Sequence, residues 1–238
     1  PVAAVPRDIG LWEWFSRSAT WTGESGILTS LADTLVMCAA VMVTAVLIAV
    51  PLGALLAHFR KGELAATWVV NLGRAIPTFA LIGLLVPISL RQGWGFEPWP
   101  IFIALTLLAL APIFLNTYTA VRQTSRGAVE AARAMGFSDR DVLFRVELAL
   151  GAGLILAGIR IAAVQVVATE PLRAFFGGDG LGRYVRDGFG QNNDSLLIGG
   201  AILVAGLAIA TGLCLTLIER IALPRGVRRL GVSKSQTT

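Results

Sequence analysis

An all-α membrane protein of five spans is the architecture this sequence predicts, and three observations predict it. Its 238 residues are 55% hydrophobic and only 15% charged, with a mean hydropathy of +0.72, where roughly a quarter of an ordinary soluble domain is charged. The missing charge is removed in blocks: 34–57, 98–121 and 195–218 are each 24 residues without Asp, Glu, Lys or Arg, longer than the ~20 that cross a bilayer core as helix. Two further apolar stretches, Leu64 to Leu90 and Leu148 to Thr169, are interrupted only by Arg74 and Arg160. A soluble enzyme is thereby excluded, and all five segments are long enough to cross at ~1.5 Å per residue.

In chain order, residues 1–27 form an extracytoplasmic segment, partly amphipathic, whose Trp12, Trp14 and Trp21 are expected on the membrane surface. It carries Arg7, Asp8, Glu13, Arg17 and Glu24 and lacks a charged leader followed by a short apolar core, so no removable signal is expected. The spans are placed at 30–57, 65–90, 99–121, 150–170 and 195–218, and 28–220 is read as one transmembrane domain followed by a basic tail, 221–238. Pro51, Pro77, Pro87 and Pro112 fall inside spans, where each removes a backbone donor and bends its helix; neighbouring helices can re-satisfy the freed carbonyls. Trp94 and Trp99, in a short joint, fit an interfacial aromatic belt.

The net charge of +5 is explained by orientation. The segments 58–64, 122–147 and 219–238 hold twelve of the Lys and Arg residues, the opposite side six. The positive-inside rule therefore places the C-terminus in the cytoplasm and the N-terminus outside a plasma or inner membrane. The basic residues lie in short segments between apolar blocks, so nucleic acid is not an expected partner. Cys38 and Cys214 fall inside spans, and two Cys with a single His58 do not assemble a tetrahedral zinc site, so neither a disulfide nor a metal is expected. Gly177–Gly178–Asp179–Gly180–Leu181–Gly182 fails the dinucleotide pattern, and no G-x-x-x-x-G-K-[ST] occurs; any energy source must be another polypeptide. An outer turn and a gate or partner contact both remain open for these glycines. No carboxylate pair lies in the first, third or fifth span, which argues against an intramembrane enzyme, and no catalytic residue is assigned.

The longest joint is the most informative. Ser125 to Met135 is an Ala-rich helical run ended by Gly136, the residue type that most readily takes a left-handed C′ conformation. Ser138 with Asp141 three residues on resembles a capping box, and Val142, Leu143, Val146 and Leu148 put an apolar stripe on the helix that follows.

Glu130-Ala131-Ala132, three residues, Gly136, nine residues, then Val146-Glu147-Leu148-Ala149 resembles the E-A-A, x3, G, x9, I-x-L-P signature of the permease subunits of ABC importers. Val146 stands for the usual Ile and Ala149 for the usual Pro. Residues 75–81, 104–118, 157–160 and 177–182 look like the permeases of the glycine betaine, carnitine, choline and proline group; Thr169 to Arg173 departs from it, with Glu170 and Arg173 placed to pair with each other one turn apart. The resemblance covers roughly 28–220 and implies a five-span type I ABC importer permease of MetI-like fold with cytoplasmic coupling helices at 122–149.

By that resemblance Glu130, Ala131, Ala132, Gly136, Phe137, Leu143 and Phe144 would couple to a cytoplasmic ABC ATPase, with ATP and Mg held on that partner and no cofactor on this chain. A second permease subunit, identical or paralogous, and an extracytoplasmic substrate-binding protein would complete the assembly. Arg74, Pro77, Arg160, Gly178, Gly180 and Gly182 are the candidates for a pathway or gate, since a charge deep in a span usually faces protein or water; snorkelling is an equal reading of Arg74. The implied cargo is a compatible solute, with methionine or another amino acid as the alternative. A membrane scaffold is the alternative of another class.

Overall fold

The computed structural model describes residues 10–62 and 77–222. Arg74, the start of the span placed at 65–90, residues 1–9 and the tail from 223 lie outside them. Among the described residues, four helices are long and apolar enough to cross a membrane, and a shorter apolar helix covers the second half of the 65–90 segment.

The chain clusters into two compact units whose boundaries fall within the long helices. The first comprises residues 1–43, 76–106 and 163–211. It contains the short helices α1 (Leu11–Ser16) and α2 (Ser18–Trp21), the start of α3 (Ile27–His58), α4 (Thr78–Arg91) and the start of α5 (Trp99–Arg122). The remaining residues belong to the second unit, which holds α6 (Arg126–Ala134), the single turn α7 (Asp139–Asp141) and the start of α8 (Leu148–Thr169). The chain returns to the first unit through the end of α8, a 3₁₀ segment (Glu170–Phe176), α9 (Gly182–Gln191) and most of α10 (Asp194–Ala222).

In the first unit Trp14 is buried, packed with Ile27, Leu181, Tyr184 and Leu196, with its ring 5.5 Å edge-on from Tyr184. Gly199 leaves the space that the indole fills. This corrects the expectation that Trp14 lies on the membrane surface: the 3.6-residue pattern of a six-residue helix cannot distinguish a lipid-facing ring from one inserted between helices. Trp12 is exposed.

In the second unit close helix approach rests on glycine, as membrane helices generally require. Gly53 of α3 faces the Phe114 carbonyl and Thr117 of α5, while Gly151 and Gly158 of α8 face Ala120 and Asn116 of α5. Pro51 and Pro112 lie within their helices, as does Pro87 in the first unit. Pro77 does not: it is the extended residue immediately before α4, where a missing N–H costs no helical hydrogen bond.

Candidate functional site

The joint that follows α5 builds an elbow. Ser125 caps α6 by accepting a hydrogen bond from the Ala128 N–H at 3.2 Å. Gly136 closes the helix at φ +87°, a conformation that costs an L-residue roughly 1–2 kcal/mol, and the Gly136 and Phe137 N–H groups bond back to the Arg133 and Ala132 carbonyls. Ser138 then caps the next turn through the Asp141 N–H at 3.2 Å. The expected helix, glycine turn, helix sequence is present.

Its exit is continuous helix. The helix that starts at Asp139 does not stop before the fourth span: Val142–Glu147 widens into a π-type turn and runs directly into α8, so that Asp139–Phe176 forms one apolar helical stretch. The physical reason is at Ala149. A proline there would remove an N–H and clash with the preceding turn, whereas alanine lets the helix continue.

The seven predicted coupling residues divide between two environments. Glu130, Ala131, Gly136 and Phe144 are exposed and Phe137 is half-buried. Ala132 and Leu143 are buried within the chain. The apolar stripe on the second helix explains Leu143: its face is already covered at home. Met135, unassigned from sequence, is 70% exposed beside Gly136. Arg140 stacks over the Phe144 ring at 5.9 Å.

Two polar contacts fasten this unit internally. His58 Nδ1, at the end of α3, stands 2.6 Å from Glu147 Oε2, both side chains buried. Arg160 reaches Glu219 at 2.9 Å and Thr216 at 3.1 Å, so this predicted pathway residue carries a carboxylate partner from α10. The lone histidine gave no sequence signal beyond an insufficient zinc ligand, because its partner is 89 residues away.

The remaining predicted residues gather in the first unit. Glu170 and Arg173 pair at 2.9 Å, as expected; the tighter 3₁₀ turn places i and i+3 above one another. Glu97 joins them at 3.4 Å, and burial pushes its carboxyl above the usual range while Arg173 pulls it down. Thr34 donates to Glu170 at 3.1 Å and accepts from the Leu181 N–H at 3.0 Å.

The glycines close over this cluster. At Gly180 a Cβ would meet Thr34 Oγ1 at 2.7 Å and Arg173 Nη2 at 2.9 Å; at Gly178 it would strike the Glu97 carboxylate, and at Gly182 the Pro171 backbone. At Gly178 and Gly180 glycine allows close approach to a buried charge network.

A family model described as binding-protein-dependent transport system inner membrane component matches residues 49–227. The choline transport system permease protein OpuBB of Bacillus subtilis (strain 168) is 33% identical over 189 residues, 79% of this chain and 85% of that protein. The glycine betaine/carnitine/choline transport system permease protein OpuCB of the same organism is 29% identical over 87% of this chain and 93% of its own length. The osmoprotectant import permease protein OsmW of Salmonella typhimurium is 31% identical, covering 86% and 96%. A solved structure of the MetNI methionine ABC transporter in an inward facing conformation superposes with TM-score 0.71 at 22% identity, over 84% of this chain and 96% of that chain, a likeness of fold alone.

Proposed function

This chain belongs to the family of binding-protein-dependent transport system inner membrane components, and from that premise we propose that it is the permease subunit of an ATP-driven importer for a choline-, glycine betaine- or carnitine-like solute. The observation that carries the coupling role is the elbow: the left-handed Gly136 joins α6 to the helix from Asp139, which runs without a break into the fourth span. A displacement of the elbow by an ATPase is thereby transmitted to α8 as a rigid-body motion. Met135 and Phe144, exposed on either side of the turn, supply the apolar contact. The names of the three relatives support the substrate class; methionine is supported only by a fold likeness.

In this reading the elbow and the C-terminus face the cytoplasm and the first residues face outward. ATP and Mg are held by a separate ATPase, a second permease subunit completes the pathway, and a binding protein delivers the solute. The test is reconstitution of the chain with the ATPase and binding protein that copurify with it, followed by uptake of labelled choline, glycine betaine, carnitine and methionine. ATP-dependent uptake of a quaternary-ammonium solute is expected; uptake of methionine alone would reassign the cargo, and no ATPase in the assembly would return the scaffold alternative.

A further inference from the structure

The second unit contains a cavity of about 410 Å³ lined by Arg60, Arg122, Arg126 and Arg133, with Glu130, His58 and Glu147 completing its polar wall. Arg126, Val129, Glu130 and Arg133 follow one another at the i, i+3, i+4, i+7 spacing of a single helical stripe, so the cavity face of α6 is set by its sequence. Glu130, expected to point at an ATPase, belongs to that stripe. Four guanidinium groups thus face two carboxylates, and one of these, Glu147, already holds His58 at 2.6 Å. Arg133 also reaches outward to Asp139 at 2.9 Å. Arg60 and Arg126 are exposed and form no ion pair among the described residues.

We infer that this cavity binds a phosphate-bearing anion, and that its occupant is the headgroup phosphate of an anionic lipid. The chemistry follows from the lining: planar guanidinium forks match phosphate oxygens bidentately, and phosphate is the anion that acidic headgroups present at a membrane surface. The source follows from position. His58 is the last residue of α3 and Arg122 the last of α5, and Glu147 immediately precedes α8, so the cavity opens where two membrane helices end and a third enters its span, at headgroup level. Basic pockets between span ends are the arrangement in which acidic headgroups are held. Phe59, adjacent to His58 and exposed, gives the opening an apolar lip for the lipid's chains.

The test uses the full chain in detergent, with native mass spectrometry in the presence of phosphatidylglycerol or phosphatidylcholine and a separate calorimetric titration of inorganic phosphate. At least a roughly tenfold preference for phosphatidylglycerol is expected, the size of one lost charge-assisted contact. It should vanish in Arg60→Gln/Arg126→Gln and persist in Arg17→Gln, an arginine outside the cavity that pairs with Glu13. Arg126→Glu provides a second variant, and since both cavity side chains are exposed, an unchanged thermal transition separates lost binding from lost folding. Phosphate binding with the same arginine dependence, but no lipid preference, would overturn the headgroup as source. A preference indifferent to Arg60 and Arg126, or one absent when the chain is isolated together with its ATPase, would overturn the lipid site.

Discussion

His58 Nδ1 and Glu147 Oε2 stand 2.6 Å apart, with side-chain exposures of 5% and 9%. The pair joins the end of α3 to the last residue of the π-type turn, so the elbow is held to the first span as well as to the fourth. Its hydrogen bond is made in a setting where an orphaned partner is expensive: removing one member of a buried pair costs about 3–5 kcal/mol when the other stays charged. We expect Glu147→Ala to lower the thermal transition more than Glu147→Gln, which keeps an acceptor, and His58→Ala/Glu147→Ala to be milder than the sum of the single changes. Additive losses in that double-mutant cycle would show that the two groups do not interact.

Gly158 marks a second dependence. A Cβ there would lie 2.6 Å from Asn116 Cβ and 2.9 Å from the Pro112 carbonyl oxygen, so α5 and α8 would have to part. Gly158→Ala is expected to cost about 1–3 kcal/mol, the range for overpacking. Gly206→Ala, with nothing within 4 Å of the new methyl, should be neutral or slightly stabilising. Equal thermal shifts for the two variants would count against the close approach.

Within the 177–182 loop the glycines are not equivalent. At Gly178 the obstacles are side-chain atoms, the Glu97 carboxylate and the Cγ of Arg173, whereas at Gly182 the obstacle is the Pro171 backbone. Gly182→Ala should therefore reduce the amount of folded chain recovered in the membrane, and Gly178→Ala should be tolerated better once the Glu97 and Arg173 side chains shift. Combining Gly178→Ala with Glu97→Ala should recover part of the loss; no recovery would mean that the carboxylate is not the obstruction.

At the elbow, Gly136→Ala retains the fold but strains a φ of +87° by roughly 1–2 kcal/mol, and Gly136→Pro forbids the conformation outright. Membrane insertion should survive both changes, while ATP-driven uptake falls with alanine and disappears with proline. Phe144→Ala, which removes an exposed ring and little internal packing, should weaken ATPase copurification without altering the thermal transition. Undiminished uptake by the Gly136→Pro protein would remove the elbow from the coupling path.

Arg160 and Glu219 show why part of the site was legible in the sequence and part was not. An arginine in an otherwise apolar span announces itself, and its need for protein or water around it follows from the cost of a charge in hydrocarbon. The partner, 59 residues away on another helix, is a matter of packing. The same division holds for the glycine loop. Composition left it open as an outer turn or a gate; the cradle it forms over Glu97, Glu170 and Arg173 exists only because three separated segments converge.

By itself, then, the sequence determined the apolar helical blocks, the capped elbow with its left-handed glycine, and the Glu170–Arg173 pair, since each depends on residues within a turn or a span of one another and on solvent-transfer energies that act locally. Tertiary structure alone decided that Trp14 is buried, that Leu143 and Ala132 face inward, that His58 meets Glu147, and that four arginines share one cavity. These outcomes depend on which faces of distant helices come together, and hydropathy, being nearly uniform around an apolar helix, carries no information about facing.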